Sequence, residues 1–533
     1  AASFIGMAGS LYFLGYDGLA FVLGWTGGYC LVAVLQAPYL RKFGQYTVPD
    51  FFSARYGGNV ARFIAVVVLV TASFTYVVAQ IVGVGIITAR FLELDFKVAC
   101  FVGLIGILLC SMLGGMKAVT WTQVAQYIIL IIAYLIPVVI LSAKVTGVPV
   151  PQVMYGQALA KIQEFEKSFG IAASHVAPYA DATGKFSANK MWNFMALNFC
   201  LMVGTAALPH ILMRYFTTPS VRQARWSVGW SLFFIFLLYF TAPAYAAFAK
   251  LEVYQNLVNQ PIASLPAWVS LWGKIGLVGA CDAANAAQTY SMCRGVTGNG
   301  DGILQFSELR IHTDVIVLAT PEIAGLPYVV SGLVAAGGLA AALSTADGLL
   351  LAIANALSHD VYYKMIDPNA DTKRRLITSR ALLLVVALIA AYVAGALGAD
   401  ILFLVSWAFS IAAAGLFAGL VLGIWWKGTT NAGGVWGMIA GYGMCMLVLI
   451  TTEFYGPAVR DVLGAGLVDI VNIRGRQVAY ILGINNIFGI PAAFLVTWLV
   501  SLATEKPTKE MQEFIESIRV PTGEVKAAHA GIE

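Results

Sequence analysis

This sequence predicts an all-α polytopic membrane fold, on three observations. Only 11% of its 533 residues are charged and 59% are hydrophobic, whereas a soluble domain carries about 25% charged residues. Mean hydropathy is +0.80. Apolar runs of spanning length, roughly 17–25 residues, recur at 17–40, 61–89, 97–113, 119–143, 191–213, 226–249, 328–358, 376–398, 401–426, 431–452 and 478–503. The net charge of +5 gives no hint of nucleic acid. No Gly-rich phosphate loop, Cys/His metal spacing or nucleophile elbow stands out, so an enzyme is not expected.

The chain begins in an apolar helix reaching about Leu14. With no initiator Met and no basic region, Ala1-Ala2-Ser3 is not a signal peptide. It reads as a helix whose first half is absent from this sequence. Lys and Arg concentrate on the cytoplasmic side of membrane proteins. Arg41, Lys42, Arg55 and Arg62 fall in one connection, Arg214, Arg222 and Arg225 in a second, and Lys364, Lys373, Arg374, Arg375 and Arg380 in a third. Alternating spans put all three on one side, which is then cytoplasmic. The 505–533 tail, one amphipathic helix, joins them, and 1–504 is the membrane core. Segments 146–190, 250–325 and 454–477 lie outside, in the periplasm of a Gram-negative host. A bacterial inner-membrane protein in contact with lipid is the expectation.

The outer segment 250–325 carries Cys281 and Cys293, the only cysteines in any loop. An oxidising compartment favours their disulfide. Downstream, "TGNGDGILQFSE" follows calcium-loop spacing, with Thr297, Asn299, Asp301, Ile303 and Glu308 at ligand positions. Thr297 stands where Asp is usual, and flanking helices are not obvious, so calcium is expected only as a weak structural ion.

"AALSTADGLLLAIANALSHD", residues 341–360, sets a polar cluster inside an apolar span. At 3.6 residues per turn, Ala341, Ser344, Thr345, Gly348, Ala352, Asn355 and His359 share one face. Small residues there suit close helix packing. Adjacent hydroxyls beside a backbone carbonyl equally suit a hard cation that takes oxygen ligands. Asp347 points about 120° away and is expected to face a neighbouring helix, as the partner of a charge there. A second polar face, Ser73, Tyr76, Gln80 and Gly83, lies on the run 61–89, and Gly204 and Pro209 bracket a break beside Thr205 and His210. These suit either solute contact or interhelical hydrogen bonds. No Arg or Lys falls mid-span near them, so an anion would rest on backbone N–H groups at helix N-termini.

"LSTADGLLLAIANALSHDVY" resembles the eighth core helix of the sodium:solute symporter family, in the form found in bacterial acetate and monocarboxylate permeases. In the same order, "GQYTVPDFFSARYG" resembles the loop between core helices two and three, "GGMKAVTWTQVAQ" the entry to helix five, and "GTAALPHILMRYF" helix six. "AASFIGMAGSLYFLGYDG" is similar to the second half of helix one. The resemblance implies a LeuT-type core of two inverted five-helix repeats with further C-terminal helices, and sites where discontinuous helices meet. It places a coupling sodium on the Ala341 carbonyl and the Ser344 and Thr345 hydroxyls, with the remaining carbonyls just before Ala1. It places the solute near Ser3, Phe4, Tyr76, Gln80, Gly204, Thr205 and His210. The family's second sodium site uses an Asp in "WTD"; here Gln123 stands in "WTQ".

The function implied is sodium-coupled symport of a small monocarboxylate such as acetate, by alternating access. One sodium with one such anion is electroneutral, so only the sodium gradient drives it, at about 1.4 kcal/mol per tenfold. Alternatives are a symporter for another organic solute such as an amino acid, a proton in place of sodium, or a solute sensor. The tail is too short for a kinase, so a sensor needs a separate signalling partner.

Overall fold

The computed structural model describes residues 1–113, 115–282, 293, 298–397, 400–463, 469–473, 476–480 and 485–520. Among them, nine helices are long and apolar enough to cross a membrane, and Phe96–Met112 and Phe488–Ala503 are shorter apolar helices. In chain order the membrane helices are α1 (Met7–Leu14, entered through a π-turn at Ala2–Gly6), α2 (Leu19–Leu35), α3 (Gly58–Leu92), α4 (Phe96–Leu113) and α5 (Gly115–Thr146). Then follow α6, broken into Ala188–Thr205 and Pro209–Phe216, α7 (Val221–Asn256), α8 (Tyr328–Asn355, continued as π-turns to Ile366), α9 (Thr372–Leu397) and α10 (Ile401–Ala412, continuing to Trp425). Last come α11 (Asn431–Phe454), α12 (Asn485–Ala503) and the amphipathic tail helix α13 (Lys509–Arg519).

These are the predicted spans, with one correction. The run 478–503 is not all helix: 476–480 pairs antiparallel with 469–473, and α12 begins at Asn485. A short apolar stretch rich in β-branched residues cannot be told from a helix by periodicity alone.

The helices pack through glycines. A Cβ on Gly441 would lie 2.0 Å from the Ala414 carbonyl oxygen, and one on Gly28 2.4 Å from the Thr205 Cβ. Small residues of this kind let membrane helices approach closely. Trp226, Trp230, Phe233 and Phe236 on α7 are exposed, as lipid-facing side chains are.

The break in α6 is a sequence effect. Pro209 cannot supply the backbone N–H a continuous helix needs, so the chain leaves helical geometry at Leu208 (ψ 120°) and restarts with Pro in the first turn.

On the Arg-rich side, a short helix (Val48–Tyr56) docks onto the end of α8. Asp50 pairs with Arg62 at 3.2 Å and His359 at 3.2 Å, and Thr47 donates to Asp360 at 3.0 Å. On the opposite side, Lys250 pairs with Glu166 at 3.3 Å, both buried. There the strand Val278–Ala280 pairs with Leu309–Ile311.

Candidate functional site

On α8 the stripe's two hydroxyls turn to one backbone carbonyl. The Ser344 and Thr345 hydroxyls both donate to the Ala341 carbonyl, at 3.1 and 3.3 Å. The Ala1 nitrogen lies 3.2 Å from the same carbonyl oxygen and 2.5 Å from Gln80 Oε1. The start of the chain, α3 and α8 therefore meet at one point. Ser344 and Thr345 are half-buried because they open on a cavity of 860 Å³, lined also by Gln123, His210 and Arg214. Thr217, Thr218 and Pro219 line its mouth, in the connection that carries Arg222 and Arg225.

The predicted solute residues divide. His210 lines the cavity and meets the Tyr76 ring edge-on at 5.6 Å, and Tyr76 meets Phe409 at the same separation. The Nδ1 of His210 and the Nε2 of Gln80 are buried without hydrogen-bond partners. Ser3 pairs with the Tyr239 hydroxyl at 2.9 Å, and Phe4 packs edge-on to Tyr134 at 5.3 Å. Gly204 and Thr205 face packing instead. A Cβ on Gly204 would lie 2.7 Å from the Phe409 Cβ, and the Thr205 hydroxyl returns to the Leu201 carbonyl at 2.7 Å.

Asp347 corrects one expectation. It does face a neighbouring helix, but its partner there is no charge. Ser111 of α4 donates to it at 2.8 Å. A hydroxyl lies within reach because α4 is apolar at this depth and offers no cation.

Two residues at the cavity, Arg214 and Lys117, were missed by sequence reasoning. The Arg214 guanidinium donates to Gln123 Oε1, and Gln123 Nε2 donates to the Ser344 carbonyl. Arg214 was counted in a connection, yet it follows His210 by one helical turn on the same half-helix. The i, i+4 relation was the available signal. Lys117 lines the same cavity, so its charged lining residues, Lys117 and Arg214, are both cationic.

The outer loop closes on itself. Cys281 and Cys293 form a disulfide, Cα to Cα 5.2 Å. Thr297 lies outside the described residues. Glu308 accepts from the Asn299 and Gln305 backbone N–H groups at 2.9 and 3.0 Å. Asp301 accepts from the Ile303 N–H at 2.8 Å, and Asp282 from Gly300 and Gly302 at 2.6 and 2.9 Å. Backbone donors hold the carboxylates that the loop spacing offered to an ion. The calcium expectation finds no support here.

Comparison with known proteins identifies the architecture. A model of the sodium:solute symporter family matches residues 1–257 and 313–441. The chain belongs to that family. It is a multi-pass transporter, and its symporter relatives span it almost end to end. One, an uncharacterized symporter of Cupriavidus necator, is 42% identical over 97% of this chain and 86% of its own length. A monocarboxylic acid transporter of Corynebacterium glutamicum is 26% identical over 94% of the chain and 82% of its own. A Na+-coupled sialic acid symporter, solved in a substrate-bound outward-open state, superposes with a TM-score of 0.64 at 14% identity. The superposition covers 95% of this chain and 88% of that one. At that identity it speaks to fold alone, and the fold is the LeuT-type core expected from the sequence. The symporter's matched segments include every helix that lines the cavity.

Proposed function

We propose that this symporter couples inward movement of sodium to uptake of a small monocarboxylate, acetate being the simplest, across a bacterial inner membrane. The observation that carries the reading is the cavity itself. It joins the oxygen stripe of Ser344 and Thr345 to a lining whose charged members, Lys117 and Arg214, are cations. Hydroxyl and carbonyl oxygens suit sodium, and the cationic wall suits a carboxylate. An amino acid fits less well, because the cavity lining offers no carboxylate for its ammonium group. The sodium ligands proposed are the Ala341 carbonyl and the Ser344 and Thr345 hydroxyls. His210, Tyr76 and Gln80 are the proposed solute contacts, with Ser3 and Phe4 flanking them. With the Arg-rich connections and the tail cytoplasmic, the cavity opens inward.

The test is uptake of labelled carboxylates into proteoliposomes with and without a sodium gradient. Acetate, propionate, pyruvate and lactate are expected to compete, and succinate is not: Arg214 is already engaged by Gln123 and Lys117 is exposed, so a second carboxylate carried into the site would be buried without a partner. Equal displacement by succinate or by a neutral amino acid would overturn the assignment.

A further inference from the structure

The cavity mouth and the opposite side of the molecule are built differently. Opposite the mouth, a strap at 312–315 lies across α1 and the start of α10. The Thr313 carbonyl oxygen lies so close to α1 that a Cβ on Gly9 would be 1.9 Å from it. His312 donates through Nε2 to Asp400, which precedes α10, at 2.6 Å. Asp314 accepts from the Ile401 backbone N–H at 3.2 Å, and His312 Nδ1, which accepts from the Asp314 backbone N–H at 3.3 Å, stands 3.7 Å from the same carboxylate oxygen. Asp314 is fully buried, and its other oxygen, Oδ1, has no hydrogen-bond partner.

Two carboxylates thus face one imidazole. With His312 protonated the cluster still carries one excess negative charge, located on a buried oxygen that nothing satisfies. A proton on Asp314 resolves this. The charged groups around it are few. Asp400 faces it from α10 and His312 from the strap. The titratable side chain of α1 is the Tyr12 hydroxyl. In the helix that follows the strap (Ile316–Ile323), Glu322 is already paired with Arg90 at 3.0 Å.

We infer that His312, Asp314 and Asp400 form a proton-binding latch on the outer side, closed when Asp314 takes up a proton and released when it gives one up. This rests on the inward-open orientation proposed above. Burial, with Asp400 adding to it, pushes Asp314 up to about 6. His312, although burial opposes its charge, is carried up to about 9 by its bond to Asp400, well away from Asp314. An acid raised in the closed state weakens that state wherever it is ionised. The closed latch therefore loses stability as pH rises through about 6. Each pKa unit is worth about a factor of ten in the equilibrium.

Leu402 packs against Gly6 just inside the latch and supplies the readout. In the full chain in proteoliposomes, Leu402→Cys is labelled from outside with an impermeant maleimide at pH 5 and pH 7.5. Labelling is read by mass spectrometry of the peptide that contains position 402. Rates are normalised to Tyr328→Cys, an exposed position, to remove the reagent's own pH dependence. Labelling about tenfold slower at pH 5 is expected. Adding Asp314→Asn should make it slow at both pH values, and adding Asp400→Asn, which removes a charge that raises Asp314, should keep it slow at pH 5 and shrink the difference between the two pH values. A normalised rate independent of pH, or an unchanged pH dependence with Asp314→Asn, overturns the latch. If Asp314→Asn does not fold, Asp400→Asn decides alone: an undiminished pH dependence in that variant overturns the latch as well. No solute enters this assay, so its outcome is separate from that of the monocarboxylate assignment. Labelling that proceeds only from the inside would overturn the orientation.

Discussion

Ser344 and Thr345 show how much a single oxygen can matter. Each hydroxyl donates to the Ala341 carbonyl, so each lone pair that remains is free to face the cavity. Removing one deletes a neutral ligand worth about 1 to 2 kcal/mol. Ser344→Ala and Thr345→Ala should therefore each raise the sodium concentration for half-maximal uptake about tenfold, with little change in melting temperature because both positions border the cavity. Unchanged sodium dependence in both variants would remove the site. Asp347 makes a contrasting case, since its partner is a hydroxyl donor. Asp347→Asn keeps an acceptor for Ser111 and should fold normally. Ser111→Ala strands a buried carboxylate and should cost about 1 to 3 kcal/mol, read as a lowered melting temperature.

Helices in this protein are positioned by what they lack as much as by what they carry. α6 breaks because Pro209 has no N–H to give, and the break brings His210 and Arg214 to the cavity on one half-helix. The strap reaches α1 because Gly9 has no side chain. Gly9→Ala places a methyl group 1.9 Å from a backbone oxygen, which cannot be absorbed by a rotamer change. The strap must lift, and labelling of Leu402→Cys from outside should become fast and insensitive to pH. Slow labelling in that variant would mean the strap does not control access.

Over the whole molecule, stability on the side opposite the Arg-rich connections depends on contacts between distant segments. The Cys281–Cys293 disulfide closes a loop of sequence separation 12. A staple of this kind contributes about 2–4 kcal/mol, so a membrane-impermeant reductant should lower the melting temperature, and the double variant Cys281→Ser/Cys293→Ser should show the same lowered value with no further response to reductant. Glu166 and Lys250 are 84 residues apart by position and buried together. Replacing one partner leaves a buried charge alone, at a cost of about 3–5 kcal/mol. Lys250→Met should therefore destabilise far more than the same change at Lys427, whose ion pair with Glu516 is exposed.

The sequence by itself determined the membrane class, the spans to within a few residues and the oxygen stripe on α8. All of these depend on composition or on a 3.6-residue period, and both are local properties. It also marked the break in α6, because proline acts through its own backbone. Tertiary structure decided the rest. That Asp347 meets a hydroxyl, that Arg214 reaches Gln123 and through it the α8 backbone, and that Thr205 fills the space beside Gly28 are contacts between helices up to 236 positions apart. The calcium spacing misled for the same reason. Linear spacing states which carboxylates are near one another, whereas folding decides whether backbone N–H groups have already engaged them. His312, Asp314 and Asp400 are unremarked in the sequence, since the third lies 86 residues beyond the second. Only the approach of the strap to α10 makes them one titrating group.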